Sequence, residues 1–275
     1  MEITSPSGRI YVVGDELGSD EQFKLYQCAT ADGNRICILK IARQVAFNGL
    51  LDREAYLLDA MKKEAISLEE EYGKIKDSDK KLNYHFYFPE LIETFVSTEQ
   101  NNSRINILSL AHIAKDLNDL TPISHLLSRE NVRVDPRTSA WILGKLLKML
   151  VFTQSQNISI NNLEGDNILI NREQHYVTLF DWTKATLGNG QMLENTITTE
   201  ISKIAQEVVL ILGSDLTTKK LLEDKQLGDN RYEDFIKNLI DNPEADAQIV
   251  HQKFYELIRS LWPREFYKFT YYLNV

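Results

Sequence analysis

Asn162-Leu163-Glu164-Gly165-Asp166-Asn167-Ile168-Leu169-Ile170, followed by Leu179-Phe180-Asp181, is the stretch that decides how this chain reads. It predicts a tight loop, a short strand, a turn at Asn171-Arg172-Glu173-Gln174 and a second apolar strand ending in an acid. That arrangement sets the amide oxygen of Asn167 beside the carboxylate of Asp181, at the two ends of one hairpin. A hard cation such as Mg²⁺, carrying a nucleotide phosphate, takes oxygen ligands of this kind. The residue five places before Asn167 should be aspartate in a phosphoryl-transfer site built this way, and here it is Asn162.

Working towards the N-terminus, the character is that of a sheet. Arg9 to Val13 alternates and is β-branched. Phe23 to Cys28 and Arg35 to Ile41 predict a hairpin about Asp32-Gly33-Asn34. Two more strands are expected near Leu91 to Ser97 and Ile105 to Leu110. Between these pairs, Leu50, Leu51, Ala55, Leu58 and Met61 recur at helical spacing, so Phe47 to Met61 reads as a helix. Lys62 to Lys81 carries both charge signs densely and reads as a solvated helix continuation with an exposed loop; a partner-docking segment is the rival reading. Lys40 ends an apolar strand and needs a counter-charge, because an unpaired buried ammonium is costly. Glu54, on the next helix, supplies one. A strand lysine paired with a helix glutamate orients the phosphates of a nucleotide.

After Leu110 the pattern turns helical. Asp119-Leu120-Thr121-Pro122 predicts a helix start, as does Asp135-Pro136-Arg137-Thr138, which leads a long apolar helix to about Gln156. Another helix is expected from Thr199, with Gly213 as its stop. The aromatic tail Trp262 to Tyr272 reads as packing against this helical part, with a partner-binding edge as the alternative.

Taken in this order, Ile38-Leu39-Lys40, Arg53-Glu54, Asn162 to Ile170 and Phe180-Asp181 resemble the eukaryotic-like protein kinase fold, over about Tyr11 to Leu261. Glu200-Ile201-Ser202-Lys203-Ile204-Ala205 resembles the start of that family's central helix, with glutamate where aspartate usually stands. The resemblance implies an α+β, bilobal fold: an antiparallel-sheet N-lobe with one helix over 1–111 and a mainly helical C-lobe over 112–275. It implies an ATP site with Lys40 and Glu54 as its ion pair, Gly18 in its phosphate loop, and Asn167 and Asp181 as Mg²⁺ ligands.

The departures from the family fall where chemistry happens. His-Arg-Asp becomes Ile160-Asn161-Asn162, and an amide cannot act as a base near neutral pH. Glu164 replaces a lysine that would neutralise the transferred phosphoryl group. The loop Leu17 to Phe23 keeps one glycine, Gly18, and adds Asp20 and Glu21 where phosphate should lie. Asp181-Trp182-Thr183 replaces Asp-Phe-Gly. Asp166 reads as facing outward rather than as a substitute base. The expectation is therefore a pseudokinase that binds ATP and Mg²⁺ and acts through another protein as scaffold or allosteric regulator. An active, atypical phosphotransferase on a protein or small-molecule hydroxyl is the alternative, and a nucleotide-free interaction module is a third.

Composition bounds these readings. The chain has 275 residues, 43% hydrophobic and 26% charged, with a formal net charge of -9. The acidic balance disfavours nucleic acid and anionic membrane as partners. Two cysteines, Cys28 and Cys37, fit reduced thiols, and five scattered histidines form no metal-ligand spacing with them. No basic-then-apolar leader and no apolar run near roughly 20 residues appears, so a cytoplasmic protein is expected.

Overall fold

The computed structural model describes residues 2–31, 36–75, 82–188, 194–214 and 230–273. The chain is a mixed α+β protein with a six-stranded antiparallel sheet, smaller two- and three-stranded sheets and six α-helices among the described residues. It divides into two compact units. One comprises Met1–Asp119 with Trp182–Lys184, the other Leu120–Asp181 with Ala185–Val275. The sequence places its division between 111 and 112; the contacts divide the chain between Asp119 and Leu120.

The first unit contains β1 (Glu2–Thr4), β2 (Ile10–Ser19), β3 (Phe23–Thr30), β4 (Ile36–Ala42), β5 (Glu90–Ser97) and β6 (Ser103–Ser109), in the order β1-β2-β3-β4-β6-β5. Alternation works as the pleat requires. Tyr11 and Val13 are buried while Ile10 and Val12, between and before them, are exposed. Cys28 and Cys37 face each other across β3 and β4 as buried thiols not joined in a disulfide. The hairpin turn expected at Asp32-Gly33-Asn34 lies outside the described residues, although β3 and β4 pair antiparallel on either side of it. Helix α1 (Asn48–Ile75) continues past Met61 through the charged run. Its inner stripe, Leu51, Ala55, Leu58, Met61 and Ala65, packs towards β5 and β6. The end of the charged run, 76–81, lies outside the described residues.

The second unit contains β7 (Leu120–Pro122), α2 (Ile123–Ser128), β8 (Val132–Val134), α3 (Pro136–Ser155), β9 (Ile158–Ser159), β10 (Ile168–Asn171), β11 (Tyr176–Leu179), β12 (Thr186–Leu187), α4 (Glu194–Ile211), α5 (Arg231–Asp241), α6 (Ala247–Leu261) and β13 (Tyr271–Leu273). Three local details differ from expectation. Leu120–Pro122 is a strand paired with β10, and the helix starts only at Ile123. Pro122 ends an edge strand there, a place where its missing N–H costs no ladder bond. Helix α4 begins at Glu194, a turn and more before Thr199, and it does end before Gly213, whose φ is 75°. The aromatic tail forms a strand, β13, against β8.

Asp135 ties this unit together. Its side chain accepts from the Thr138 N–H at 2.9 Å, capping α3 with Pro136 behind it. Its other oxygen accepts from the Tyr267 hydroxyl at 2.6 Å, and its own N–H donates to the Thr270 carbonyl at 3.2 Å. One buried carboxylate therefore caps a helix and anchors the tail. No helix among the described residues is long and apolar enough to cross a membrane.

Replacing Asp135 by alanine removes the cap and leaves the Tyr267 hydroxyl without its acceptor. A loss of about 2 kcal/mol in urea unfolding is expected, with faster amide exchange across 267–273. Wild-type exchange in that segment would show that Asp135 does not hold the tail.

Candidate functional site

The first group of polar side chains belongs to the first unit. Lys40, on β4, is 2% exposed and Glu54, on α1, is fully buried; Lys40 Nζ meets Glu54 Oε1 at 2.7 Å. Lys40 also lies 5.0 Å from the centre of the Phe23 ring. A buried ion pair persists only when its remaining hydrogen-bonding capacity is filled. Glu54 meets that condition. Asn106 Nδ2 donates to Glu54 Oε2 at 2.9 Å, and the Trp182 backbone N–H donates to Oε1 at 3.2 Å. Asn106 is itself fully buried on β6. It gives a second bond to the Leu51 carbonyl and accepts one from the Thr94 hydroxyl at 2.7 Å. Arg53, beside Glu54, donates to the Thr183 carbonyl at 2.6 Å.

Gly18 sits near the end of β2, with open space where a Cβ would point and no positive φ. The backbone there does not demand glycine. The turn that follows is closed by Asp20. Its carboxylate accepts from the N–H groups of Gln22 and Phe23, both at 2.7 Å. Two amides of the turn are thus already bonded to an anion that the chain itself supplies.

The second group belongs to the second unit. The hairpin β10–β11 pairs Ile168 with Leu179, which sets Asn167 opposite Phe180 and next to Asp181. Asn171 makes the turn possible, its side-chain oxygen accepting from the N–H groups of Glu173 and Gln174. Asn167 Nδ2 donates to the carbonyls of Asn162 (2.9 Å) and Asp181 (3.0 Å), while Asn167 Oδ1 accepts from the Asp181 N–H at 2.6 Å. Asn162 Nδ2 donates to Asp181 Oδ2 at 3.0 Å. A carboxylate can only accept, so this contact also sets which way the Asn162 amide faces. Asn162, Asn167 and Asp181 are therefore brought together, as the sequence implies.

The loop carrying Asn162 is held from below by α4. Glu200 is buried and accepts from the Ile160 N–H (2.5 Å), the Asn161 N–H (3.2 Å) and the Ser159 hydroxyl (3.0 Å). Burial pushes the Glu200 carboxyl above its usual range, and those donors offset part of the rise. Asn161 has φ of 57°, a conformation asparagine tolerates better than most residues. Gly165 packs closely on α2: a Cβ there would lie 3.2 Å from the Ser124 backbone nitrogen and would also displace the Glu207 carboxylate. Asp166 is exposed and takes the Ser124 hydroxyl at the start of α2.

Glu164 is paired with a cation from α4. Lys203 bridges Glu164 at 2.9 Å and Glu207 at 3.2 Å. Burial works against the Lys203 ammonium, but its two carboxylate partners outweigh it and raise its pKa. Two acids around one cation still leave the group net negative. Lys203, Glu207 and Asn106 escaped the sequence reading. Lys203 and Glu207 were visible as an i, i+4 pair on a predicted helix, whereas nothing in sequence distinguishes Asn106 from an ordinary strand residue.

As metal donors, Asn167 and Asp181 offer one amide oxygen and one carboxylate. Among the described residues no cluster of three or more His, Cys, Asp or Glu side chains could hold a metal ion. That donor set fits a Mg²⁺ that brings phosphate and water ligands of its own, since Mg²⁺ is commonly held by one or two carboxylates plus substrate phosphates. The chain matches no known protein-family model, and no curated protein is significantly similar to it in sequence.

Two outcomes are expected. Lys40→Met strands the Glu54 carboxylate and costs about 3–5 kcal/mol, whereas Lys40→Met with Glu54→Gln recovers most of that loss; equal losses in urea unfolding would show that the pair is not coupled. Asn162→Asp sets two carboxylates about 3 Å apart and raises the pKa of one. Its deficit relative to wild type should be absent near pH 3, appear as pH rises through the carboxylate range and reach about 2 kcal/mol at neutrality. A pH-independent difference would contradict the Asn162–Asp181 contact.

Proposed function

We propose that this chain is a degenerate protein-kinase-like protein: a pseudokinase that binds Mg²⁺-ATP, transfers phosphoryl groups poorly or not at all, and acts on a partner protein as scaffold or allosteric regulator. On this reading the fold is the two-lobed kinase-like one, with the first unit as the sheet-rich lobe and the second as the helical lobe. Lys40, held by Glu54, is the phosphate-orienting cation, and Asn167 and Asp181 are the ligands for the metal that accompanies the nucleotide.

The observation that carries the loss of catalysis is the Asn162–Asp181 hydrogen bond. A general base must accept a proton from the substrate hydroxyl. Asn162 has no ionisable group: its amide nitrogen donates to the Asp181 carboxylate, and its oxygen can accept a hydrogen bond but cannot take a proton near neutral pH. Asp166, the other acid in the loop, is occupied by Ser124. The Glu164–Lys203–Glu207 group supplies negative rather than positive charge beside the loop, the wrong sign for stabilising a transferring phosphoryl group. Loss of a base alone typically costs about 10²- to 10⁴-fold, so slow transfer is compatible with Asn162; the accumulated charge makes the active-phosphotransferase alternative the weaker one.

One observation favours a second reading, the nucleotide-free interaction module. Asp20 satisfies the Gln22 and Phe23 amides with a carboxylate of the chain's own. An anion held there competes with a phosphate by charge and by occupancy of donors.

Millimolar Mg²⁺-ATP should raise Tm by roughly 3 °C or more, and EDTA should abolish the effect, because a ligand bound only to the folded state stabilises it. Absence of any shift selects the interaction module. Turnover should stay below about 0.01 s⁻¹, against roughly 1–100 s⁻¹ for kinases; faster transfer that disappears in Asp181→Asn would overturn the pseudokinase reading. Asp20→Ala should tighten ATP binding by about threefold or more, and unchanged affinity would show that the turn does not meet the phosphates.

A further inference from the structure

Within the second unit, a cavity of about 510 Å³ opens between α3, α6 and the chain that follows α6. Its size falls in the ordinary range for small-molecule sites. Two properties of its lining are unusual for a protein of net charge -9.

The first is a run of flat rings. Trp141 and His175 have ring centres 4.7 Å apart, and His175 stacks on Phe266 at 4.7 Å with planes 15° apart. Phe266 is 76% exposed, a large apolar ring left in water at the edge of the cavity. Packing of the tail against α3 therefore leaves part of the ring surface uncovered.

The second is charge. Arg137, Lys145, Lys148, Arg259 and Arg264 line the cavity, and Glu265 is the one acid among its lining residues. Glu265 is directed to Arg137, at 3.5 Å. Arg137 and Arg259 already lie over rings, those of Tyr267 and Tyr255, each at 4.2 Å. Lys145 makes no hydrogen bond or ion pair among the described residues. Burial, and then the neighbouring Lys148, hold its pKa below the usual lysine range. His175 and His251 are lowered for the same reason, first by burial and then by Lys145 and Lys148 respectively. Positive charge is thus concentrated in a half-buried space where no acid of the lining answers Lys145.

We propose that this cavity binds a small planar aromatic anion, a ring bearing a carboxylate or a phosphate. The ring lies against the Trp141–His175–Phe266 faces, and the anionic group is met by Lys145 and Lys148, with Arg259 adding positive charge at the rim. Each part of the lining has a reason to prefer this class. Flat ring faces gain from offset stacking, which a saturated chain does not supply. A neutral ring would desolvate the Lys145 ammonium without pairing it. The site is separate from the nucleotide reading and does not depend on it.

The test is calorimetric titration of the full chain with 1-naphthoate, 1-naphthyl phosphate, 1-naphthalenemethanol and octanoate. One or both naphthyl anions should bind with 1:1 stoichiometry and a Kd of about 100 µM or tighter. The tighter of the two identifies the anionic group. The alcohol and octanoate should bind at least about tenfold more weakly, and Lys145→Gln or Arg259→Gln should weaken the naphthyl anion about fivefold or more with Tm retained. Arg259 is exposed, so its variant remains informative if Lys145→Gln fails to fold. No saturable binding at about 1 mM, equal affinity for the alcohol or for octanoate, or unchanged affinity in both variants would overturn the proposal.

Discussion

A carboxylate without access to water must have its lone pairs answered by protein. Glu54 is that carboxylate here, and much of the first unit is arranged around it. Lys40 brings the charge, Asn106 fills the second oxygen, and the Trp182 amide completes the first. Each partner comes from a different element. Strand β4, strand β6, helix α1 and the segment 182–184 are consequently held in one register by a polar knot inside an apolar core. A slip of α1 along the sheet by one turn would have to break this knot as well as the apolar stripe. A buried ion pair with directional partners does not tolerate such a slip, because the alternative register leaves a charge unpaired.

The second unit solves a different problem, that of holding an irregular loop still. The chain from Ser159 to Asn167 has almost no ladder bonds to rely on, so side chains supply them. Glu200 collects the donors of Ser159, Ile160 and Asn161 from beneath. Asn167 bridges Asn162 to Asp181 at the far end. Amides are well suited to this work, since one group both donates and accepts. The same property that makes Asn162 a good structural residue removes it from acid–base chemistry. An amide at 162 also places no second negative charge beside Asp181.

Much of this was legible beforehand. The alternation in β2, the 3–4 spacing in α1 and the Asp135-Pro136 helix start are local signals, set by the chain's own periodicity and capping chemistry. Lys40 with Glu54 was readable because a charged residue in an apolar run demands a partner, and Asn167 with Asp181 because they stand at the two ends of one hairpin. What escaped was decided by contacts distant in sequence. Leu120–Pro122 becomes a strand only because β10 offers an edge to pair with, and the tail becomes β13 because β8 does the same. Asn106 looks like any polar residue of a half-buried strand until the Glu54 oxygen is known to lie beside it. The basic, ring-lined cavity is assembled from α3, the β10–β11 turn, α6 and the tail, four segments no local pattern connects.

Trp182 is fully buried, sits edge-on to Phe88 at 6.2 Å and gives its amide to Glu54, while Thr183 surrenders its carbonyl to Arg53. Moving this segment means breaking the Arg53 contact, unseating a buried indole and withdrawing a donor from a carboxylate that has no water to replace it, so its placement and that of the buried pair stand or fall together.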